Sequence, residues 1–301
     1  MPVTLSVLIA AVVFALIVMA ISMSRHTHID PIDPAAEEQW LVRRLRRFPR
    51  VRAFVRRRLD RTTAGGLIVT LSFAIVFGTA ALFGVVFDMV DANRGLARFD
   101  QSIAAWGSHH ATSRAVDILR AITELGGTPV LVGAMAVAGM TDYLRHRRLG
   151  VFLFLILVGA GEKLLDNGLK VIVDRSRPSV LRLTGASGSS FPSGHSAAAA
   201  ACWAAIALVL TRAAPRRVRA LGAAMAALLA GAVAASRALL GVHWLTDVIA
   251  GLILGWGWFT MVAIAFGGRM LRIGEPVEEV AAPAKLPDHP KSPISHASGA
   301  G

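Results

Sequence analysis

Charge and cysteine are both scarce in this chain. Of its 301 residues only 17% are charged, below the roughly 25% usual in soluble domains, and a single cysteine, Cys202, rules out any internal disulfide. Set in an apolar block, Cys202 reads as a small packed hydrophobe. Acidic residues are the rarer sign, 19 against 32 Lys and Arg, which leaves a net charge of +13. The arginines gather in short loops beside apolar runs and not along a soluble face, so they read as membrane-orienting residues, and nucleic-acid binding is set aside.

What the chain has in abundance is apolar sequence: 54% of residues, a mean hydropathy of +0.58, arranged in blocks. An all-α, polytopic membrane bundle follows, because only helices and closed barrels satisfy their backbone inside lipid. The first block, 3–23, is about the length that crosses a ~30 Å hydrocarbon core. It lacks a basic leader and a small-residue cleavage site and reads as a retained N-terminal anchor over 1–24. His26, His28 and Asp30 follow without a fourth ligand at a recognised spacing, so no metal site is read there. Within 25–65, ten arginines from Arg43 to Arg61 alternate with Trp40, Leu41, Leu45, Phe48, Val51, Phe54, Val55 and Leu59. That pattern suits an interfacial amphipathic segment, broken near Pro49, lying on anionic headgroups of the bilayer; the plainer alternative is a basic linker.

A core over 66–268 is expected to hold six spans, at 67–90, 129–143, 150–171, 196–210, 221–235 and 248–266, with a mixed stretch at 91–128 and an aperiodic tail over 269–301 that is expected to be disordered. His109 and His110, in the mixed stretch, read as solvated or interfacial. The third core span turns ionisable in its second half, with Glu162, Lys163, Asp166 and Lys170; Glu162, Asp166 and Lys170 recur every four residues and share one face. Charges at bilayer depth face a bundle interior or a cavity, so this half-helix either lines a site or holds the bundle by a charge-balanced network. In the last span, Gly251 and Gly255 permit close helix approach.

The basic clusters at Arg43–Arg61, Arg145–Arg148, Arg212–Arg219 and Arg269–Arg272 alternate with the spans, so placing all of them in the cytoplasm puts 170–195 and 236–247 together at the opposite face. Three residue clusters lie there: Lys170 with Arg177-Pro178, Pro192-Ser193-Gly194-His195, and Ser236-Arg237 with His243 and Asp247. Lys170, Arg177 and Arg237 are cations at the ends of apolar helices and call for an anion; guanidinium forks and an ammonium fit a phosphoryl group. Ser193-Gly194-His195 opens a helix whose first N–H groups point at an anion, with the Ser193 hydroxyl as a further donor. His243 and Asp247, four apart, share a helical face; a carboxylate beside one ring nitrogen leaves the other free to attack phosphorus, and His195 is then available as general acid. Asp174 and Arg175 read as a local pair or a rim.

In order, spacing and identity these three clusters resemble the signature of the type 2 phosphatidic acid phosphatase superfamily, in its bacterial membrane lipid phosphatase branch, over about 67–266. The resemblance implies a lipid phosphatase that needs no metal or other cofactor. It implies that His243 is the nucleophile, Asp247 orients it, His195 protonates the leaving group, and Lys170, Arg177, Ser193, Gly194 and Arg237 hold the phosphoryl oxygens. The substrate is then a membrane lipid: a polyprenyl diphosphate, phosphatidylglycerol phosphate or phosphatidate. Competing readings are a lipid-linked phosphotransferase, a vanadate-dependent haloperoxidase-like enzyme, and a non-catalytic phospholipid binder. Intact His195, His243 and Asp247 argue against the last, and motifs set between membrane spans argue against the haloperoxidase.

Overall fold

The computed structural model describes residues 64–270 except 181 and 186, with side chains described over 74–266. The expected N-terminal anchor, the arginine-rich segment and the tail beyond 270 lie outside the described residues. Within them the fold is all-α, as the apolar blocks require: α1 (Ala64–Asp91), a 3₁₀ turn (Gly95–Phe99), α2 (Asp100–His110), α3 (Ser113–Glu124), α4 (Thr128–His146), α5 (Gly150–Ile172), α6 (Gly194–Thr211), α7 (Arg216–Leu239) and α8 (Leu245–Met270).

Four of these helices, α1, α6, α7 and α8, are long and apolar enough to cross a membrane on their own. A fifth span arises if α3 and α4, bent by 48° at their junction, count as one. The helix α5 has the length, but Glu162, Lys163, Asp166 and Lys170 interrupt its apolar character. Its buried face, Val151, Phe154, Leu155, Val158, Glu162 and Asp166, changes from hydrocarbon to carboxylate along one stripe. The outward-facing residues of the bundle are apolar too, among them Phe77, Leu153, Ile156 and Leu164, which suits contact with lipid tails.

The helix α6 is the central post, packed by α4, α5, α7 and α8. Small residues make this possible: Ala197, Ala199, Ala200, Ala201 and Ala205 are all fully buried. Against them lies α8, whose Gly251 and Gly255 sit so close that a Cβ there would fall 2.5 Å from the Ser193 carbonyl and 2.2 Å from that of Ala197. The two glycines therefore let α8 dock directly under the Ser-Gly-His turn, the small-residue packing typical of helices that lack a hydrophobic drive to associate in lipid.

The mixed stretch 91–128 resolves into α2 and α3, which the apolar spans alone did not predict. Thr112 caps α3 by accepting from the Ala115 N–H at 3.3 Å. Val116 and Leu119 of α3 then pack under Leu239, Leu240 and Val242, the segment that leads from α7 into His243. His109 and His110 are exposed, the second stacked on Trp106 at 5.0 Å.

The ends of the bundle differ in charge. At one end Arg212, after α6, donates to both oxygens of the buried Asp142 in α4 at 2.7 and 2.9 Å, near Arg145–Arg148 and the start of α7. At the other end come together the C-termini of α5 and α7, the N-termini of α6 and α8, and the loop 173–193. Arg120 of α3 pins that loop by donating to the Leu183 carbonyl at 2.6 Å and 2.9 Å.

Candidate active site

Where the three clusters meet, a cavity of about 740 Å³ is lined by Lys170, Arg177, Gly194, His195, Arg237 and His243. It continues between α4 and α5 into an apolar trough of Leu131, Val132, Met135, Phe152, Leu155 and Ile156. A polar end with a hydrocarbon tail is the shape of an amphiphile.

The imidazole of His243 is 3% exposed and held from several sides. Its Nδ1 lies 2.7 Å from the Ser190 carbonyl and 3.5 Å from Asp247 Oδ2. An acceptor at the shorter distance fixes the proton on Nδ1, so two groups orient the ring, with the backbone carbonyl the nearer. The other nitrogen, Nε2, is left with its lone pair toward the cavity and toward Arg177 Nη1, 3.2 Å away. Burial pushes the His243 pKa below its ordinary 6.5; Asp247 opposes this through its hydrogen bond and charge, while Arg237 and Arg177 add to it. At neutral pH the ring is uncharged and nucleophilic.

Asp247, fully buried, is saturated with donors: Arg175 Nη1 at 2.5 Å, the Trp244 N–H at 2.8 Å and the Ser190 hydroxyl. Its carbonyl receives the Ser193 N–H at 3.0 Å, which stitches α8 to the Ser-Gly-His turn. Ser193 is buried and accepts from the Ser196 hydroxyl at 2.9 Å. At Gly194 a Cβ would lie 2.6 Å from Asp166 Oδ2 and 2.9 Å from Lys170 Nζ, so only glycine lets this turn sit on the α5 charges. His195 faces the cavity, and its ring has no hydrogen-bond partner among the described residues.

The cations are placed differently. Lys170 Nζ donates to Asp166 Oδ2 at 2.8 Å, and the other Asp166 oxygen has no partner among the described residues. Arg237 is 5% exposed, with Nη1 3.4 Å from the Thr123 hydroxyl and a buried Nε that lacks an acceptor among the described residues. A guanidinium with an unfilled donor at the floor of a cavity is a site for an anionic oxygen. Arg177 donates to the carbonyls of Ser187 (2.7 Å), Gly188 (3.0 Å), Ser189 (3.1 Å) and Val242 (2.7 Å), and so ties the 187–189 turn over His243. Burial lowers the Arg177 pKa below its ordinary value, with Asp247 opposing and Arg182 adding.

All eight residues singled out by the motifs, Lys170, Arg177, Ser193, Gly194, His195, Arg237, His243 and Asp247, thus lie in one neighbourhood. The reading of Arg175 needs correcting: it pairs not with Asp174 but with Asp247 and with Asp100 of α2, at 2.8 Å. A flexible loop guanidinium finds the nearest buried carboxylates, and sequence adjacency does not decide which they are. Ser190, Asp100, Thr123 and Thr246 were missed. Ser190 sits in a serine-rich turn with no distinguishing pattern, and Asp100 and Thr123 belong to the mixed stretch.

The geometry has counterparts among known proteins. Residues 149–270 match the model of the PAP2 superfamily. Phosphatidylglycerophosphatase B of Bacillus subtilis is 33% identical over 141 residues, covering 46% of this chain and 69% of that protein. Lipid A 1-phosphatase of Rhizobium etli is 36% identical over 124 residues, 38% of this chain and 48% of that protein, so about half its length is matched. The crystal structure of a transmembrane PAP2-type phosphatidylglycerolphosphate phosphatase from Bacillus subtilis superposes with a TM-score of 0.56 at 29% identity, over 61% of this chain and 93% of that one.

Proposed function

The chain belongs to the PAP2 superfamily and is a membrane lipid phosphatase, and from that premise we propose that it hydrolyses a phosphate or diphosphate headgroup through a phosphohistidine at His243. The observation that carries this reading is the orientation of His243: Nδ1 is committed to Ser190 and Asp247, and Nε2 points at the cavity among Arg177, Arg237 and Lys170.

With a phosphoryl group on Lys170 and Arg237, taking the place of the Arg177 contact at Nε2, the Nε2 lone pair forms the N–P bond as the P–O bond to the lipid breaks. The proton for the departing lipid oxygen comes from His195. The positive charge that develops on His243 is met by the Asp247 carboxylate at 3.5 Å. In the second half, His195 takes a proton from water, the water oxygen attacks phosphorus, the N–P bond breaks, and inorganic phosphate leaves. Charge spread over the equatorial oxygens is matched by the Arg237 donors, by Lys170 and by the N–H groups opening α6, and these groups supply most of the barrier reduction.

The apolar trough between α4 and α5 supports a lipid leaving group. Phosphatidylglycerol phosphate and a polyprenyl diphosphate are the leading substrates, the first favoured by the Bacillus subtilis relatives. With the basic ends of the bundle in the cytoplasm, the site opens at the exterior or periplasmic face and the C-terminus is cytoplasmic. Phosphate release from phosphatidylglycerol phosphate, polyprenyl diphosphate and phosphatidate in detergent, with His243→Ala as the blank, tests the reading. Release from at least one of them, absent in the blank, is expected; release undiminished in His243→Ala would remove the nucleophile assignment.

A further inference from the structure

The charge on Asp247 is not set by His243 alone. The carboxylate of Asp100, 4% exposed at the first turn of α2, is joined to it by a continuous chain of short bonds. Arg175 Nη2 donates to Asp100 Oδ2 at 2.8 Å, and its Nη1 donates to Asp247 Oδ1 at 2.5 Å and to the Thr246 hydroxyl at 2.8 Å. Thr246, fully buried, donates to Asp100 in turn, through its N–H at 2.9 Å and its hydroxyl at 2.7 Å. Trp244 covers the guanidinium, 5.5 Å from ring centroid to charge. Asp100 lies outside residues 149–270, the stretch matched by the family model.

We infer that Asp100 and Arg175 are positioning residues that fix the Asp247 carboxylate against His243 and set how much negative charge it presents there. Arg175 alone would neutralise Asp247 and leave the developing imidazolium unsupported. Asp100 gives the triad a net charge of −1, so Asp247 is held in place by a guanidinium without losing its effect on the ring. The two bonds from Thr246 to Asp100 tie α2 to the first turn of α8, so the arrangement rests on two elements and not on one flexible loop.

Charge and placement make separable predictions. The charged or titratable groups that face the His243 ring are Asp247 from α8, Arg177 from the loop, Arg237 from α7 and His195 from α6. Removing Arg175 unmasks Asp247 and favours protonated His243; removing the charge of Asp100 does the reverse.

The experiment uses the full chain in detergent and measures kcat, KM, pH profile and thermal stability with phosphatidylglycerol phosphate, or with whichever lipid phosphate the release panel selects. The variants are Asp100→Asn, Arg175→Gln, Thr246→Val and His243→Ala. Asp100→Asn and Arg175→Gln are expected to lower kcat about 10–100-fold with KM little changed, the scale of a small misplacement remote from the reacting atoms. The acidic limb of kcat/KM should move to lower pH in Asp100→Asn and to higher pH in Arg175→Gln. Thr246→Val, which changes no charge, should lower kcat with the limb unmoved, and it stands in if the charge variants fail to fold.

The inference rests on His243 as nucleophile, and the outcomes separate the two. An active His243→Ala overturns that reading. If His243→Ala is inactive, the inference alone falls when the charge variants keep wild-type kcat, when KM rises with kcat intact, or when both limbs stay where they were. If no charge variant folds, it falls when Thr246→Val keeps wild-type kcat.

Discussion

At His243 a buried ring stays neutral because burial outweighs the carboxylate beside it. The pH dependence follows. The folded ring binds its proton only below 6.5, so kcat/KM for this step should hold its plateau down through pH 6.5 and fall only at lower pH, which a rate profile would check. Stability follows the same sign. The unfolded chain takes up this proton near 6.5 and the folded chain does not, so the contribution is complete above 6.5 and is lost as pH falls toward the folded value. Arg237 makes a different prediction. Its Nε has no acceptor among the described residues, and losing such a donor should remove transition-state stabilisation. Arg237→Gln should therefore lower kcat about 10²–10³-fold, measured by phosphate release under saturating lipid. A fall confined to KM would mean that Arg237 binds ground and transition states alike.

Between elements, α8 fits tightly on α6. A Cβ at residue 255 would meet a main-chain carbonyl at 2.2 Å, and backbone cannot swing aside as a side chain can. Gly255→Leu should destabilise by about 1–3 kcal/mol and displace the turn that carries Ser193 and His195, lowering both Tm and kcat. Gly133→Ala in α4, where nothing lies within 4 Å of the added carbon, should leave kcat unchanged and not lower Tm, and serves as control. This packing was legible, since Gly-x-x-x-Gly in an apolar helix announces a close crossing. The helices α2 and α3 were not. Their buried residues, such as Ala115, Val116 and Leu119, alternate with charged ones over a length too short to register as a span. With α2 and α3 went Asp100 and Thr123, which reach the site only because the chain folds back across α7 and α8. The motif residues were legible for the opposite reason: phosphoryl binding and histidine chemistry demand particular side chains at particular spacings. The carbonyl of Ser190, which any residue could supply, leaves no mark.

Among the described residues, the end that carries Arg145–Arg148 and Arg212–Arg219 lies opposite the catalytic end, and the cavity leads from charge into hydrocarbon. Orientation is tested in intact cells by single cysteines on a Cys202→Ser background. Ser187→Cys should react with a membrane-impermeant maleimide, and Arg217→Cys should react only after permeabilisation; the reverse pattern would turn the bundle over. The trough between α4 and α5 predicts that the leaving group is held along its chain. Met135→Trp should then reduce turnover of long-chain lipid phosphates more than that of short-chain ones, read as a change in the ratio of their kcat/KM values. Equal losses would mean that the trough does not hold the tail.

These features converge on one atom, Nε2 of His243, and the proposed bond from it to phosphorus can be tested directly. A rapid-quench reaction with a lipid labelled at the scissile phosphate should trap a protein-bound phosphoryl group that is labile to acid and stable to alkali. It should appear at the rate of lipid release, map to the peptide containing His243, and be missing in His243→Ala. Steady turnover with no such adduct at any quench time, or an adduct mapping to another residue, would contradict the account.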